Sequence, residues 1–285
     1  MVLEALTNPF RMEQRPASMV LLGFLYATVG LFLGYWVFRE HASLIMVFLT
    51  TMACLPLIVN TLKLEEEKDV LDYSEMVLLK EHGRALSAFV YLFIGMVVAF
   101  SLWYAVLPSG SVASMFSAQT QTINTINGRI TGMSFAQSMV LFGDIFLNNV
   151  RVLIFCILFS FLYGAGAIFI LTWNASVIGT AIGNYVRSSV STIAGGFGLT
   201  QTLHYMQAIT IGLLKYSIHG IPEILAYFTA GLAGGIISIA VVRHDLATRK
   251  FEHVLLDSAD LLMISLGILL LAALLEVWVT PFVFS

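Results

Sequence analysis

The chain has 285 residues, of which 59% are hydrophobic and only 11% are charged, and its formal net charge is -3. Soluble globular domains average about 25% charged residues, because charge covers their surface. The composition excludes a soluble enzyme, a disordered chain and a nucleic-acid binder with a broad basic face, and it predicts an integral membrane protein. The apolar runs are roughly 20 residues long, as in membrane-spanning helices, whereas strands of a membrane barrel alternate over about 10 residues.

Seven apolar runs predict an all-α fold, a polytopic transmembrane helical bundle of about seven spans. In chain order the spans are 17–38, 42–62, 86–107, 150–172, 202–218, 221–242 and 261–279. The fifth is short and more polar than the others. Residues 108–134 are polar and nearly uncharged, which predicts an outer loop. Residues 135–149 are apolar but interrupted by polar side chains, which favours an amphipathic or re-entrant helix leading into the fourth span.

About a third of the charged residues lie between Lys63 and Arg84. Lys63 and Glu67 form an i,i+4 pair, and apolar residues at helical spacing give this segment one apolar side. We expect a solvated or interfacial helix that joins the second and third spans; the alternative is a docking site for a cytoplasmic partner protein. The chain then divides into a hairpin with its charged linker, 1–85, and a transmembrane core, 86–285.

The basic residues predict the orientation, since Lys and Arg concentrate on the cytoplasmic side of membrane proteins. If the N-terminus is cytoplasmic, that side holds Arg11, Arg15, Lys63, Lys68, Lys80, Arg84, Arg187, Arg243, Arg249 and Lys250. The outer side then holds Arg39, Arg129, Arg151 and Lys215. This distribution predicts a multi-pass protein of the cell membrane with a cytoplasmic N-terminus and an outer C-terminus. If 202–218 re-enters instead of spanning, the last two spans invert.

Polar groups at hydrocarbon depth are costly unless paired, so they mark functional candidates. The densest group contains His219 and Glu223, with Lys215 one turn earlier. Gly220 and Pro222 predict a break in the helix, which would place Glu223 in the first turn of the sixth span. Three interpretations stay open: a capped helix start with Glu223 paired to Lys215 or to backbone, a proton or solute site inside the bundle, and a metal site.

A metal site would use His204, His219 and Glu223 as ligands. A straight helix, however, separates His204 from His219 by about 22 Å. The chain contains no H-E-x-x-H sequence, which disfavours an intramembrane metalloprotease. No metal ligand set, cofactor or catalytic residue is therefore predicted. Asp144 is a further charged residue expected near hydrocarbon depth.

Two glycine pairs have the four-residue spacing that lets membrane helices approach closely. Gly231 and Gly235 lie in the sixth span, and Gly179 and Gly183 lie just after the fourth. The pairs predict close helix packing inside the bundle. For the sixth span, the alternative is the interface of a homodimer.

Two stretches resemble the stage II sporulation protein M family. One reads His-Gly-Ile-Pro-Glu-Ile-Leu-Ala at 219–226, and the other is 142–150, in which Asn148 and Asn149 are adjacent. Asn174 with Gly179 is similar to a third family element, although alanine follows the asparagine where the family usually has glycine. The resemblance covers roughly residues 86–250. The first two spans look like the N-terminal extension of archaeal-type members.

In endospore-forming bacteria, the family member acts in a membrane complex with cell-wall hydrolases, as an integral scaffold and not as the hydrolase. The resemblance implies a non-enzymatic scaffold or membrane-remodelling component, and we expect a homodimer in the lipid bilayer that binds no nucleic acid. We also expect the Asn-Asn and His-Gly-x-x-Glu elements to form one polar cluster. The alternative is a transporter or channel for a small solute or ion, with its polar site around His219 and Glu223.

Overall fold

The computed structural model describes residues 15–69, 75–127, 135–163, 167–191, 199–243 and 248–284, and these residues are helical almost throughout, with no strand among them. In chain order the helices are α1 (Ser18–Val37), α2 (Ala42–Asp69), α3 (Glu75–Val106), α4 (Ser109–Met115), α5 (Ser117–Asn127), α6 (Phe135–Tyr163), α7 (Ala167–Ser191), α8 (Leu199–Arg243), α9 (Arg249–Leu274) and α10 (Thr280–Phe284). A 3-10 turn (Arg39–His41) precedes α2, and a π-helix (Leu275–Val279) joins α9 to α10.

Seven helical segments of the described chain are long and apolar enough to cross a membrane. They lie in α1, α2, α3, α6, α7, α8 and in α9 with its C-terminal continuation. Hydrocarbon offers no hydrogen-bond partners to the backbone, so a segment that crosses it must form its backbone hydrogen bonds internally, as a helix does. The prediction of an all-α polytopic bundle of about seven spans is confirmed, and the chain is an integral, multi-pass membrane protein.

The fourth predicted span is divided differently in the structure. Residues 150–172 belong to two helices, the end of α6 and the start of α7. α6 begins at Phe135, so the segment predicted to be a separate amphipathic or re-entrant helix is the first half of a continuous one. Polar side chains lower the hydropathy of 135–149 but leave the backbone hydrogen bonds of the helix intact. The prediction therefore began the span at residue 150 although the helix begins at Phe135.

The fifth and sixth predicted spans are one helix, α8, of 45 residues. Its membrane-crossing part is Ile218–Arg243. The predicted break at Gly220 and Pro222 is wrong, because both residues lie inside this helix. A proline removes one backbone hydrogen bond, but a membrane helix tolerates it when packing holds both sides.

These boundaries move Arg187 to the other side of the bundle. It lies near the end of α7, where its Nη1 donates to the carbonyl oxygens of Tyr104 at 3.2 Å and Leu107 at 3.0 Å. Those carbonyls are at the C-terminal end of α3 and have no partner within the helix. Arg187 therefore caps α3 on the side away from the N-terminus, and its predicted cytoplasmic position is inconsistent with the order of the helices.

The predicted outer loop contains the two short helices α4 and α5. Gln119 of α5 is fully buried, and its side-chain amide donates to the carbonyl oxygen of Ser43 and to the hydroxyl of Ser176, both at 3.1 Å. These bonds join α5 to α2 and α7. The rest of that segment, 128–134, lies outside the described residues.

The charged linker is formed by the ends of α2 and α3, with 70–74 outside the described residues. Glu65 and Glu66 are buried, with exposures of 0% and 1%. Glu65 Oε2 lies 2.7 Å from His82 Nδ1, and Arg243 Nη1 donates to Glu66 Oε2 at 2.8 Å. A solvated helix is thus the wrong description of these two glutamates, which join α2 to α3 and to the end of α8.

Helix packing depends on small residues in α1 as well as in the predicted glycine pairs. A Cβ on Gly23 would overlap the backbone of α3, and a Cβ on Gly95 would overlap the backbone of α1. Gly30 and Gly34 lie against α2, where added Cβ atoms would lie 3.0 Å and 3.1 Å from backbone atoms of Met46. The spacing of Gly30 and Gly34 was a signal in the sequence that the prediction missed.

The core is centred on α8. In the membrane-crossing part of α8, 72% of the residues are buried inside the chain. The corresponding shares are 22% for α6 and 28% for α9. α8 packs against α2, α3, α6, α7 and α9. Any polar group on α8 is therefore placed among other helices, whereas α6 and α9 present most of their surface to the surroundings.

Candidate functional site

Three polar side chains of α8 line up because the helix runs through Pro222 without a break. His219, Glu223 and Tyr227 are each one turn apart and so share one face. The hydroxyl of Tyr227, which is fully buried, donates to Glu223 Oε1 at 2.7 Å. His219 and Glu223 are half-buried.

The π-helix at the end of α9 supplies the opposite wall. Thr280 Oγ1 donates to the carbonyl oxygen of Leu275 at 3.1 Å and lies 3.2 Å from His219 Nδ1. His219 Nδ1 and the Thr280 hydroxyl can each donate in this bond, and the histidine tautomer decides which of them does. Single π-helical turns occur frequently at functional sites. We call His219, Glu223, Tyr227, Glu276 and Thr280 the α8–α9 polar cluster.

Two carboxyl groups approach each other in this cluster. Glu276, on the π-helix, is close enough to Glu223 to interact with it electrostatically, and both are half-buried. Two negative charges repel strongly in a low-dielectric environment. A proton on one of the two carboxyl groups would remove this repulsion. The described residues contain no group of three His, Cys, Asp or Glu side chains placed to hold a metal ion.

Two cavities beside α8 are lined by residues other than these carboxyl groups. One, of about 230 Å³, lies between α3, α7 and α8 and is bounded by Gly220, Ile221 and Ile224 together with aliphatic and aromatic side chains. The other, of about 20 Å³, lies near Gly231 and is also lined almost entirely by apolar groups. Neither is lined by His219 or Glu223.

The other predicted site residues are dispersed. Asn149 is buried at 6% exposure, whereas its neighbour Asn148 and Asp144 are exposed on α6. Asn174 lies in α7 and donates to the carbonyl oxygen of Ile170 at 2.9 Å, a bond within its own helix. The backbone of Lys215 belongs to α8, but its side chain, like that of His204, lies outside the described part, so the pairing of Lys215 with Glu223 stays a prediction.

The predicted glycine pairs lie where helices touch. Added Cβ atoms on Gly179 and Gly183 would lie 2.6 Å and 2.7 Å from the Cβ atoms of Phe100 and Tyr104, respectively, on α3. One on Gly231 would lie 2.9 Å from the Cβ of an α7 alanine, and Gly235 is buried in the same helix. Because this face of α8 is covered by the chain's own helices, a homodimer requires another surface.

The sequence prediction missed Tyr227 and Thr280. Tyr227 follows Glu223 by four residues, a spacing that signals contact only in a continuous helix, and the expected break concealed it. Thr280 gave no signal, since its position depends on the π-helical turn before it. Arg151 was placed at a span end, but it lies within the membrane-crossing part of α6, Gln137–Leu162.

The family model described as Stage II sporulation protein M matches residues 24–281. No curated protein and no solved structure matches the chain. The matched region begins within α1 and extends into α10, so it includes the N-terminal hairpin as well as the whole α8–α9 polar cluster. Since the match spans most of the chain, this protein belongs to the stage II sporulation protein M family.

Proposed function

We propose that the chain is a non-enzymatic scaffold or membrane-remodelling component of a complex in the cell membrane. The observation that carries the proposal is that polar side chains form hydrogen bonds between helices. His219 with Thr280 joins α8 to the C-terminal segment, Gln119 joins α5 to α2 and α7, and Arg243 joins α8 to α2. Hydrogen bonds between helices restrict movement of the helices relative to one another. This favours a scaffold that holds other proteins in place, because a transporter must open and close around its solute.

If the chain is a scaffold, two of its surfaces can bind partner molecules. The exposed charges at the ends of α2 and α3, including Lys63, Glu67 and Arg84, form a docking site for a cytoplasmic protein. The remaining surface contacts lipid or another membrane protein. The distribution of basic residues supports a cytoplasmic N-terminus, since Arg15, Lys63, Arg84, Arg243 and Arg249 all lie on its side of the bundle.

The test combines the native complex with the purified chain. After extraction from its own membrane in mild detergent, the chain should migrate in native electrophoresis within an assembly larger than the oligomer formed by the purified chain. Reversing the exposed charges with Lys63→Glu and Arg84→Glu should release the cytoplasmic partner. Identical migration of the native and purified chains would overturn the scaffold role.

A transporter or channel is the second candidate, and the two carboxyl groups of the α8–α9 polar cluster favour it. Glu223 and Glu276 interact electrostatically within membrane-crossing segments, with no basic partner among the described side chains. Interrupted helices that line a site in this way are common in transporters. The π-helix supplies such an irregular turn next to Glu276.

Ion flux separates the two functions. Vesicles containing the purified chain and a pH-sensitive dye, placed in a proton gradient with potassium and valinomycin, report proton movement. A scaffold leaves the leak equal to that of protein-free vesicles, for the wild type and for Glu223→Gln alike. A proton flux that requires the wild-type protein and disappears in Glu223→Gln would establish transport instead.

A further inference from the structure

A cavity of about 230 Å³ lies between α3, α7 and α8. Its lining residues belong to the membrane-crossing segments of all three helices. Ile94, on its α3 wall, is about 21 Å from Lys80 and about 18 Å from Val106, the two ends of that segment, given a rise of about 1.5 Å per residue. The cavity is therefore at hydrocarbon depth.

Gly220 leaves this space open on the α8 side. The residue is buried and lines the cavity, yet a Cβ added to it would meet nothing within 4 Å. At Gly231, further along the same helix, an added Cβ would lie 2.9 Å from the Cβ of an α7 alanine. Gly220 does not break the helix, contrary to the prediction, but its lack of a side chain makes room between the three helices.

The cavity is continuous with the surface that the bundle presents to lipid. Val98 on α3 and Ile221 on α8 line the cavity and are 40% and 49% exposed. Phe93 and Ile182 also line it but are 7% and 3% exposed, so its walls reach from the outer surface into the bundle. Since the protein is an integral membrane protein, the opening between α3 and α8 meets the hydrocarbon chains of the bilayer.

Neither water nor empty space suits such a cavity. A buried water needs about two to four polar partners, and the described side chains around this cavity are all apolar. An empty space deprives the atoms that line it of dispersion contacts. Apolar cavities of about 150 Å³ stay dry and take up small apolar molecules such as benzene.

We propose that the cavity binds one hydrocarbon chain of a membrane lipid, which enters between Val98 and Ile221. The cavity holds part of a single flexible hydrocarbon chain, while the headgroup of the lipid stays at the membrane surface. The bound lipid occupies the space that a side chain at Gly220 would take, and it contacts all three helices. It thus completes the packing of α8 against α3 and α7, whether the protein is a scaffold or a transporter.

Photolabelling by a lipid tests whether the cavity is occupied. The purified wild-type protein is placed in phosphatidylcholine vesicles in which one acyl chain carries a diazirine, irradiated, and mapped by mass spectrometry. Phe93 and Ile182 should be labelled although they are buried. Leu92, which is 0% exposed and does not line the cavity, is the control on α3 and should stay unlabelled. Labelling of the exposed Val98 without Phe93 and Ile182, or equal labelling of Leu92, would overturn the proposal.

Native membranes distinguish the lipid from a partner protein as the occupant. After fusion with the same vesicles, the protein in its own membrane should be labelled at the same residues. Loss of labelling at Phe93 and Ile182 there would assign the cavity to an apolar segment of a partner protein and overturn the lipid. It would leave the scaffold role standing.

Filling the cavity tests the part played by Gly220. Gly220→Leu places a side chain in the free space and should lower the labelling of Phe93 and Ile182 severalfold. Gly267→Leu, at an exposed glycine on α9, is the matched control and should leave that labelling unchanged. If Gly220→Leu does not fold, Ile178→Phe fills the cavity from α7 and should act in the same way. Undiminished labelling in the folded variant would contradict the assignment of this cavity to a lipid.

Discussion

The hydrogen bond from Tyr227 to Glu223 joins two successive turns of α8 inside the bundle. Polar bonds in membrane proteins contribute roughly 0.6 to 1.7 kcal/mol, because the unfolded chain also finds partners. Tyr227→Phe should therefore lower the free energy of unfolding in mixed micelles by about 1 kcal/mol. Tyr91→Phe, at an exposed position on α3, is the control and should change little. Equal effects in the two variants would contradict a role for the bond.

Substitution of Arg243 tests the ion pair that joins α8 to Glu66 of α2. The arginine side chain is 36% exposed, whereas the side chain of Glu66 is 1% exposed and loses a compensating charge when the arginine is removed. Arg243→Gln should cost about 1–3 kcal/mol, below the range for fully buried pairs because water reaches the arginine. Adding Glu66→Gln removes the buried charge and should recover part of the loss. A double variant less stable than the single one would contradict this account.

The sequence identified His219 and Glu223 because polar groups at hydrocarbon depth are rare enough to stand out. It could not identify their partners. Tyr227 is a neighbour of Glu223 only because α8 continues through Pro222, and Thr280 reaches His219 only because a π-helix precedes it. Contacts of this kind depend on the path of the backbone, which side-chain polarity does not report.

Among the helices, the close contact of α7 with α3 depends on glycine. A methyl group at Gly179 would lie 2.6 Å from the Cβ of Phe100 and 3.1 Å from the carbonyl oxygen of Val97, which cannot move away easily. Gly179→Ala should lower the free energy of unfolding by about 1–3 kcal/mol through overpacking.

The matched control for this prediction is Gly267→Ala on α9, where an added methyl group meets nothing within 4 Å. There the substitution should be neutral or stabilise the helix by up to about 1 kcal/mol, because alanine is the better helix former. Equal destabilisation by the two substitutions would indicate that backbone conformation, and not packing, is responsible.

The sequence predicted the number of spans, but the agreement rests on two offsetting errors, since 150–172 covers parts of two spans and 202–218 with 221–242 contains only one. Hydropathy averages over a window, so polar residues such as Asp144 and Asn148 looked like an interruption although α6 continues past them. The opposite error occurred at residues 150–172, where apolar character continues across the change from α6 to α7. Hydropathy measures transfer into lipid and contains no information about where the backbone turns.

At the scale of the whole molecule, the orientation can be tested by chemical labelling. Arg84 and Gly110 are exposed near opposite ends of α3. If the N-terminus is cytoplasmic, a membrane-impermeant maleimide should label Gly110→Cys in intact cells and Arg84→Cys only after permeabilisation. The buried native cysteines give low background. The reverse pattern of labelling would invert the topology.

The π-helix Leu275–Val279 has a consequence for variation in chain length. Successive residues of a helix are rotated by about 100° around its axis. A π-helical turn holds one residue more than an α-helical turn and ends at nearly the same rotation, so deleting one residue between Leu275 and Val279 can close the turn to an α-helical one and leave Thr280 facing His219. An inserted residue would instead rotate Thr280 away from the histidine, so this turn should tolerate a single deletion better than an insertion.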